Sequence, residues 1–358
     1  MSEIEHQPRR PRKEAASMQS FDEIVANLDS RVLAGDLQAF RPIPTHFPEL
    51  DAALGGGFRQ GQLILLSGQA GIGKTSLAMQ IARNIACSHQ ALCLFVCYEH
   101  DTDYMAQRLI SMESIERDDG TPSDGLRLRD IADLVSSHQV DAPNDAGFAS
   151  ALAADKRGAR ALERISHYSR NILFIKGNAF STDLAALANL VAEARAPAGP
   201  TGRRPVVLFV DYLQKIAATT PHSDEEARSI EALEGLKDIA LGEGIIVMAI
   251  VAAQVEGLKS QRLRLEHLLA SAEIAYEADI VMTMNEKYAV VDRQHIEFNR
   301  YNAQTFHQFV VLSIEKNRMG SDMVDLELHK QLQFCRFRTD AERVKESLIS
   351  GTDKSMSG

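Results

Sequence analysis

The sequence lacks both an apolar run long enough to cross a membrane and an apolar leader at its N-terminus. No stretch of the 358 residues approaches the roughly 18 to 20 consecutive apolar residues that a membrane span needs. Residues 1–16 are polar, where a secretion signal would be apolar. We therefore expect a cytoplasmic protein with no membrane partner.

Cysteine is scarce, and its spacing argues against most of its specialised roles. Of four cysteines, Cys87, Cys93 and Cys97 lie on apolar segments without C-x-x-C spacing. The pattern favours buried, reduced thiols over disulfide bonds or zinc ligation.

An excess of positive charge is also missing. The chain has 39 basic and 49 acidic residues, a net charge of −10. This balance argues against a broad electropositive face for nucleic acid. It leaves room for a narrow basic channel, because a ring of subunits can place a few basic side chains from each subunit around one strand.

From Leu63 onward, short apolar runs alternate with helical patterns. This alternation predicts an α/β fold with a mostly parallel central sheet covered by helices. Buried strands are predicted at 63–67, 91–98, 171–175, 206–210 and 245–253, and helices at 75–86, 183–194 and 224–241, the last with Ser223 as its N-cap. Beyond Asp279, strands predicted at 280–284, 308–314, 323–328 and 332–337 suggest antiparallel additions at the C-terminal edge of the sheet.

The pattern divides the chain into one large domain, residues 41–338, and two polar tails. Residues 1–40 are predicted to hold one short helix at Phe21–Leu33, where apolar residues recur at helical spacing. A preceding basic cluster fits a solvated tail better than a nucleic-acid arm because no aromatic residues are interleaved; it comprises Arg9, Arg10, Arg12 and Lys13. Residues 112–168 are predicted as a helical excursion, 196–205 as a loop, and 339–358 as a polar C-terminal tail.

The sharpest signal is the run GQAGIGKT, which starts at Gly68 and ends at Thr75. It fits G-x-x-x-x-G-K-[ST] in full and lies between a predicted strand and a predicted helix. Such a loop points backbone N–H groups at phosphate oxygens, and the dipole of the following helix favours the same negative charge. The predicted nucleotide-binding residues are Gly68, Gln69, Ala70, Gly71, Ile72, Gly73, Lys74, Thr75 and Ser76. We expect ATP as the ligand, with Lys74 reaching the β- and γ-phosphates and the Thr75 hydroxyl on Mg²⁺.

The Mg²⁺ ion needs an acidic partner at the end of a neighbouring strand, and Asp211 supplies it. Five apolar residues, 206–210, precede this carboxylate. An aspartate in this position can instead cap a turn, but the P-loop in the same chain favours the Mg²⁺-linked role. The pattern thus predicts Thr75 and Asp211 as metal ligands.

Hydrolysis also requires a group that orients and deprotonates the attacking water. Glu99 follows the strand predicted at 91–98 and is expected to lie beside the P-loop strand. Asp101 and Asp103 compete for this role, and a solvated acidic turn is the structural alternative. Gln254 closes another apolar strand, where its amide could sense the γ-phosphate; an ordinary strand-end glutamine is the alternative.

Together these residues resemble the C-terminal, RecA-like motor domain of DnaB-type replicative helicases, over roughly residues 45–337. Six segments are similar to motifs of that family: 44–62 (PTHFPELDAALGGGFRQGQ), Glu99, 211–214 (DYLQ), Gln254, 278–281 (ADIV) and 316–320 (KNRMG). The resemblance implies a RecA-like P-loop ATPase with Glu99 as the catalytic glutamate and Gln254 as the sensor. It also implies that Lys316 and Arg318 reach the γ-phosphate of a neighbouring subunit, in a homo-oligomeric ring of six.

Strand alternation independently places Lys316 and Arg318 on one side of a strand, as a two-pronged phosphate clamp requires. Arg318 would then stabilise the charge of the transition state, so that hydrolysis would depend on oligomerisation. A strand edge protected by charges is the alternative explanation.

Two departures from the family bear on function. Only about 45 residues precede the motor, so we expect neither a collar domain nor primase docking. Where many members have Leu-Arg-Glu-Ser-Gly in the strand-gripping loop, residues 268–272 are LLASA. Lys259, Arg262 and Arg264 could supply replacement contacts to single-stranded DNA, but a solvated basic loop explains them almost as well.

Two functions fit these observations. The ordered motor motifs predict a ring-forming, ATP-driven translocase or helicase on single-stranded DNA. The missing collar, the altered loop and the acidic balance favour a regulatory or assembly ATPase in the manner of KaiC-like proteins. Stimulation of hydrolysis by single-stranded DNA would distinguish the two.

Overall fold

The strands among the described residues form one mixed sheet. A computed structural model describes residues 18–35, 37, 40–115, 125–141, 147–195, 204–218, 224–292 and 303–349. Within these ranges the strands are β1 (Leu63–Gly68), β2 (Leu92–Cys97), β3 (Ile172–Lys176), β4 (Val206–Asp211), β5 (Ile246–Ile250), β6 (Ile280–Glu286), β7 (Phe309–Asn317), β8 (Val324–Gln331), β9 (Arg336–Phe337) and β10 (Glu342–Arg343). Their order is β10-β8-β7-β6-β1-β5-β4-β2-β3, with β9 paired to β8.

Helices connect and cover these strands. They are α1 (Phe21–Leu33), α2 (Pro48–Ala53), α3 (Lys74–Cys87), α4 (Thr102–Glu113), α5 (Leu128–Asp141), α6 (Phe148–Ala153), α7 (Lys156–Ser166), α8 (Leu184–Ala194), α9 (Glu225–Glu243), α10 (Val255–Leu258), α11 (Ser271–Glu277) and α12 (Lys287–Val290). Helices α5, α6 and α7 lie within the excursion predicted at 112–168. None of these helices is long and apolar enough to span a membrane.

Strands β1 to β6 run parallel to one another, and β7, β8 and β10 extend the sheet in antiparallel fashion from β6. This arrangement confirms the predicted fold class. Side chains alternate between two apolar cores because successive residues of a strand face opposite sides of the sheet. Leu66 packs in the core that contains α3, and Leu65 packs in the core that contains α9.

The strand order corrects two expectations about the site. Glu99 follows β2, which was expected beside the P-loop strand β1, yet β5 and β4 lie between them. Asp211 ends β4, which is likewise separated from β1 by β5. In a parallel sheet all carboxyl ends lie at one edge, so these side chains can still meet without adjacent strands.

The segment predicted as a strand at 332–337 is mostly not one. It forms a 3₁₀ turn at Leu332–Phe334, a left-handed residue at Cys335 (φ 56°) and only then β9. Contact with α3 explains the change, because the Gln80 side chain donates to the Phe337 carbonyl and accepts from its N–H, each at 2.8 Å. The segment is thereby attached to the helix that follows the P-loop.

Two boundaries also differ from prediction. The N-cap of α9 is Asp224, whose carboxylate accepts from Ala227 N–H at 2.7 Å; the predicted cap, Ser223, lies outside the described residues. Within the predicted tail at 339–358, β10 pairs with β8 and Leu348 forms a bridge with Val291. The ordered sheet therefore continues past residue 338.

The predicted N-terminal helix is present as α1. A capping box at Ser20 and Glu23 begins it, and none of its residues is buried. The basic cluster before it and residues 196–203 of the predicted loop lie outside the described residues.

Candidate active site

The loop between β1 and α3 has the backbone that its glycines predict. Gly71 and Gly73 have φ values of 75° and 104°, which favour glycine. A Cβ atom on Gly73 would lie 2.7 Å from Phe337 Cζ, so packing as well as backbone conformation requires glycine there. The helix begins at Lys74, directly after this turn, and its first amides lie at the loop.

Lys74 folds over this loop. Its ammonium donates to the Gly68 and Gln69 carbonyls at 2.8 and 3.0 Å. Burial lowers the pKa of Lys74, whereas the nearby carboxylates of Asp211 and Glu99 raise it. The side chain is thus a cation held at the loop between two acidic groups, where a phosphate could replace the carbonyls as its partner.

Thr75 and Asp211 lie together at the start of α3. The Thr75 hydroxyl donates to Asp211 Oδ2 at 2.7 Å, and Asp211 is only 2% exposed. Burial raises the pKa of Asp211, and the hydrogen bond from Thr75 opposes that shift. A hydroxyl and a carboxylate are oxygen ligands of the kind that Mg²⁺ prefers, and this ion commonly takes its remaining ligands from phosphates and water. Among the described residues no group of three or more His, Cys, Asp and Glu side chains could hold a metal.

A cavity of about 540 Å³ joins these groups to Glu99. Its lining includes Lys74, Thr75, Asp211 and Glu99, so three strand ends and the loop converge on one space. Gln254 was predicted in the same site. It follows four lining residues, 250–253, and its backbone N–H donates to the His267 carbonyl at 2.9 Å.

One wall of the cavity escaped prediction. His100, Tyr104 and Arg108 follow one another at four-residue spacing, with the His100 and Tyr104 rings 4.6 Å apart and the Arg108 guanidinium 5.7 Å from the Tyr104 ring. Arg108 donates to the Ser76 hydroxyl at 2.7 Å. The spacing of Tyr104 and Arg108 was the available signal, because residues four apart share one helix face; His100 precedes α4.

Lys316 and Arg318 lie away from this cavity, at the opposite ends of the parallel strands. Lys316 donates to the Ala275 carbonyl at 2.7 Å and also to the Ala278 carbonyl. Arg318 donates to Asp279 Oδ1 at 3.2 Å and to the Tyr276 carbonyl. Both basic side chains therefore donate to carbonyls at the end of α11, although Arg318 follows β7 and does not lie on it.

The basic residues proposed to contact DNA differ in their surroundings. Arg262 is 2% exposed and donates to Asp325 at 2.6 Å and to Ser313 at 3.2 Å, which contradicts its predicted role as an open phosphate contact. Arg264 is half-buried and pairs with Glu315 at 3.3 Å, so it is likewise engaged within the chain. Lys259 is exposed. The prediction is contradicted by the pairing of Arg262 and Arg264, which the sequence could not show because it records a charge without the carboxylate that pairs with it.

The fold and the site define a RecA-like P-loop ATPase. A family model described as DnaB-like helicase C terminal domain matches residues 42–339, and the chain belongs to that family. This confirms the resemblance drawn from the sequence. The family is one of nucleotide- and Mg²⁺-dependent ATPases, and DnaB-like helicases are hexameric rings that bind single-stranded DNA.

Relatives agree with this assignment. The replicative DNA helicase DnaB of Rickettsia bellii is 26% identical over 321 residues, which cover 82% of this chain and 57% of that protein. The DnaB of Treponema pallidum is 25% identical over 288 residues, covering 79% of this chain and 53% of that protein. The chain thus spans about half the length of the curated relatives it matches.

Three solved structures share the fold at low identity. A structure described as an ATPase domain has a TM-score of 0.64 at 17% identity and covers 90% of this chain and 99% of that one. A DnaB-like replicative helicase, described with its interactions with primase, has a TM-score of 0.62 at 16% identity, covering 90% and 67%. A KaiC-like protein from Pyrococcus horikoshii has a TM-score of 0.50 at 16% identity, covering 85% and 99%.

Proposed function

We propose that this protein hydrolyses ATP with Mg²⁺ in the cavity at the carboxyl edge of the sheet, and that rings of the chain use this reaction to move along single-stranded DNA. The observation that carries the proposal is the convergence of Lys74, Thr75, Asp211 and Glu99 on one cavity. Family membership supports the motor function, which concerns the assembled protein.

Each residue of the cavity has a separate task in this proposal. The loop amides and Lys74 bind the phosphate chain. Thr75 and Asp211 hold Mg²⁺, which, when bound, offsets the charge that develops on the phosphates. Glu99 orients the attacking water and accepts its proton. Gln254, which directly follows the lining residues 250–253 beyond β5, senses the γ-phosphate.

Lys316 and Arg318 are proposed to act on the site of a neighbouring subunit. They lie near Leu63, at the start of β1, whereas the P-loop follows Gly68 at its end. At about 3.3 Å per residue, the five steps between them separate the two ends by roughly 16 Å. The distance argues against action on their own cavity and supports a ring in which each subunit completes the next.

Mixed rings test this assignment. Lys74→Ala subunits keep Arg318 but lose the phosphate-binding lysine, and Arg318→Ala subunits have the reverse defect. Each variant alone should be inactive, and mixtures should recover ATP hydrolysis because some junctions pair an intact loop with an intact Arg318. Failure to recover at any ratio would show that Arg318 does not act across subunits. Wild-type protein that neither binds nor hydrolyses ATP would overturn the proposed function itself.

A regulatory ATPase that does not translocate is the second candidate. The internal pairing of Arg262 and Arg264 favours it, because it removes two of the three predicted phosphate contacts. Hydrolysis should be measured with and without single-stranded DNA over a low-salt series, where phosphate contacts are strongest. Stimulation supports the motor, and rates that stay unchanged at every salt concentration support the regulatory ATPase.

A further inference from the structure

The Asp279 carboxylate lies between β1, the strand that precedes the P-loop, and Arg318, the residue that follows β7. Its Oδ2 atom accepts from the Leu63 N–H and from Lys237 Nζ, each at 2.7 Å. Its Oδ1 atom accepts from Arg318 Nη1 at 3.2 Å. Asp279 is 8% exposed, so these bonds form in a largely water-excluded setting.

The main chain strengthens the link to Arg318. The Arg318 N–H donates to the Asp279 carbonyl at 3.0 Å, so backbone and side chain of Arg318 are both attached to the same residue. On the other side, Leu63 is the first residue of β1 and donates to the same carboxylate. One aspartate thus fixes the position of Arg318 relative to β1.

The hydrogen bonds of Arg318 fix its side chain but leave part of the guanidinium group exposed. A guanidinium has five N–H donors, and the contacts with Asp279 and Tyr276 use one nitrogen each. The side chain is 44% exposed, although its partner carboxylate is nearly buried. Arg318 is therefore anchored at one side and presented to the surface at the other.

We infer that Asp279 is the positioning residue for Arg318, and that it holds the guanidinium in the orientation in which it meets the nucleotide of the neighbouring subunit. The inference rests on the proposed function, in which Arg318 acts across the subunit boundary. Asp279 does not line the cavity of its own subunit. Its contribution is to limit the positions of Arg318, since a misplacement of about 1 Å can cost on the order of 100-fold in rate.

Lys237 provides a matched background for the test. Removing Asp279 alone would leave the buried Lys237 ammonium without its acidic partner and with only the Gly61 carbonyl as an acceptor, which is destabilising for reasons unrelated to Arg318. Lys237→Met keeps the Asp279 contacts with Leu63 and Arg318, and Lys237→Met/Asp279→Asn then changes only the carboxylate. Nucleotide affinity, melting temperature and ATP hydrolysis are measured for both variants.

We expect the double variant to hydrolyse ATP roughly 100-fold more slowly than Lys237→Met, while the two bind a non-hydrolysable ATP analogue equally well. Mixing the double variant with Lys74→Ala subunits should then restore hydrolysis, because the Lys74→Ala subunits supply a positioned Arg318. A merely structural role for Asp279 would damage the subunit's own cavity, and the mixture would stay inactive.

The outcomes separate this inference from the proposed function. Suppose that hydrolysis recovers when Arg318→Ala and Lys74→Ala subunits are mixed, but not when the double variant and Lys74→Ala subunits are mixed. This result overturns only the inference about Asp279. Hydrolysis equal to or faster than that of Lys237→Met also overturns it. If hydrolysis recovers in neither mixture, both the proposed action of Arg318 across subunits and the inference about Asp279 are overturned. If the double variant melts below the assay temperature, Asp279→Glu, which keeps the charge but lengthens the side chain, should show the same slow hydrolysis and the same recovery.

Discussion

Strands β1, β2, β4 and β5 on the parallel side of the sheet are buried at every residue, whereas β8 on the antiparallel side alternates buried and half-buried residues. On the parallel side, charged groups follow the strand ends and face a cavity. On the antiparallel side, charged groups on the strands and next to them pair with one another, as Lys287 does with Glu327 and Glu346, and Lys330 with Glu286. A charge in the sequence therefore does not by itself indicate a ligand site, because a partner within the chain can account for it.

On the parallel side, Glu99→Gln is expected to have the largest effect. The substitution keeps the shape of the side chain but removes the proton acceptor, so hydrolysis should fall by roughly 10²- to 10⁴-fold. Binding of ATP should persist because the loop, Lys74 and Asp211 are unchanged. Asp103→Asn is the matched control on the same segment. Equal losses for both variants would contradict a specific role for Glu99.

Arg262→Met tests whether the charges of the antiparallel side are structural. The change leaves the Asp325 carboxylate without its buried partner, and we expect the free energy of unfolding to fall by about 3 kcal/mol, the low end for breaking a buried pair. Chemical denaturation would measure it. A fully stable variant with selectively weakened DNA binding would restore the original prediction for this residue.

Arg108→Ala tests the unpredicted wall of the cavity. Arg108 donates to Ser76, one of the loop residues expected to contact the phosphates. Hydrogen bonds to charged groups contribute about 1.5 to 3 kcal/mol, so nucleotide affinity should fall by roughly 10- to 100-fold. Titration with fluorescent ADP and ATP would measure this loss. Unchanged affinity for both nucleotides would limit Arg108 to a structural role on α4.

Lys259→Ala should have the smallest effect. Lys259 is exposed, so stability should change by no more than about 0.5 kcal/mol. If it contacts a DNA phosphate, the slope of log affinity against log salt should decrease in magnitude by about 1. An unchanged slope in a protein that does bind single-stranded DNA would place the phosphate contacts elsewhere.

The sequence was most informative on the parallel side. Buried strands there are continuous apolar runs, and the run from Gly68 to Thr75 carries its own backbone requirements, so strand type, loop conformation and the position of Asp211 at a strand end could all be inferred. Strand order could not, because no local pattern records which strands pair; Glu99 was placed beside β1 although two strands intervene.

On the antiparallel side, the decisive contacts join residues far apart in sequence. Arg262 meets Asp325, and Gln80 meets Phe337, without any local signal. The apolar letters of residues 332–337 resemble a strand, but contact with α3 folds the first part into a 3₁₀ turn. Such contacts decide conformation after the chain has collapsed, and the pattern of neighbouring residues cannot supply them.

The two hydrogen bonds between Gln80 and Phe337 limit how far the chain can be shortened from its C-terminal end. Phe337 also packs where a side chain on Gly73 would lie, so the loop that cradles the nucleotide is braced by a residue 257 positions away from Gln80 along the chain. A fragment that ends after the last recognisable motif, at Gly320, would retain every proposed catalytic group and still lack the support beneath its phosphate cradle. The smallest working unit of this ATPase therefore extends at least to β9.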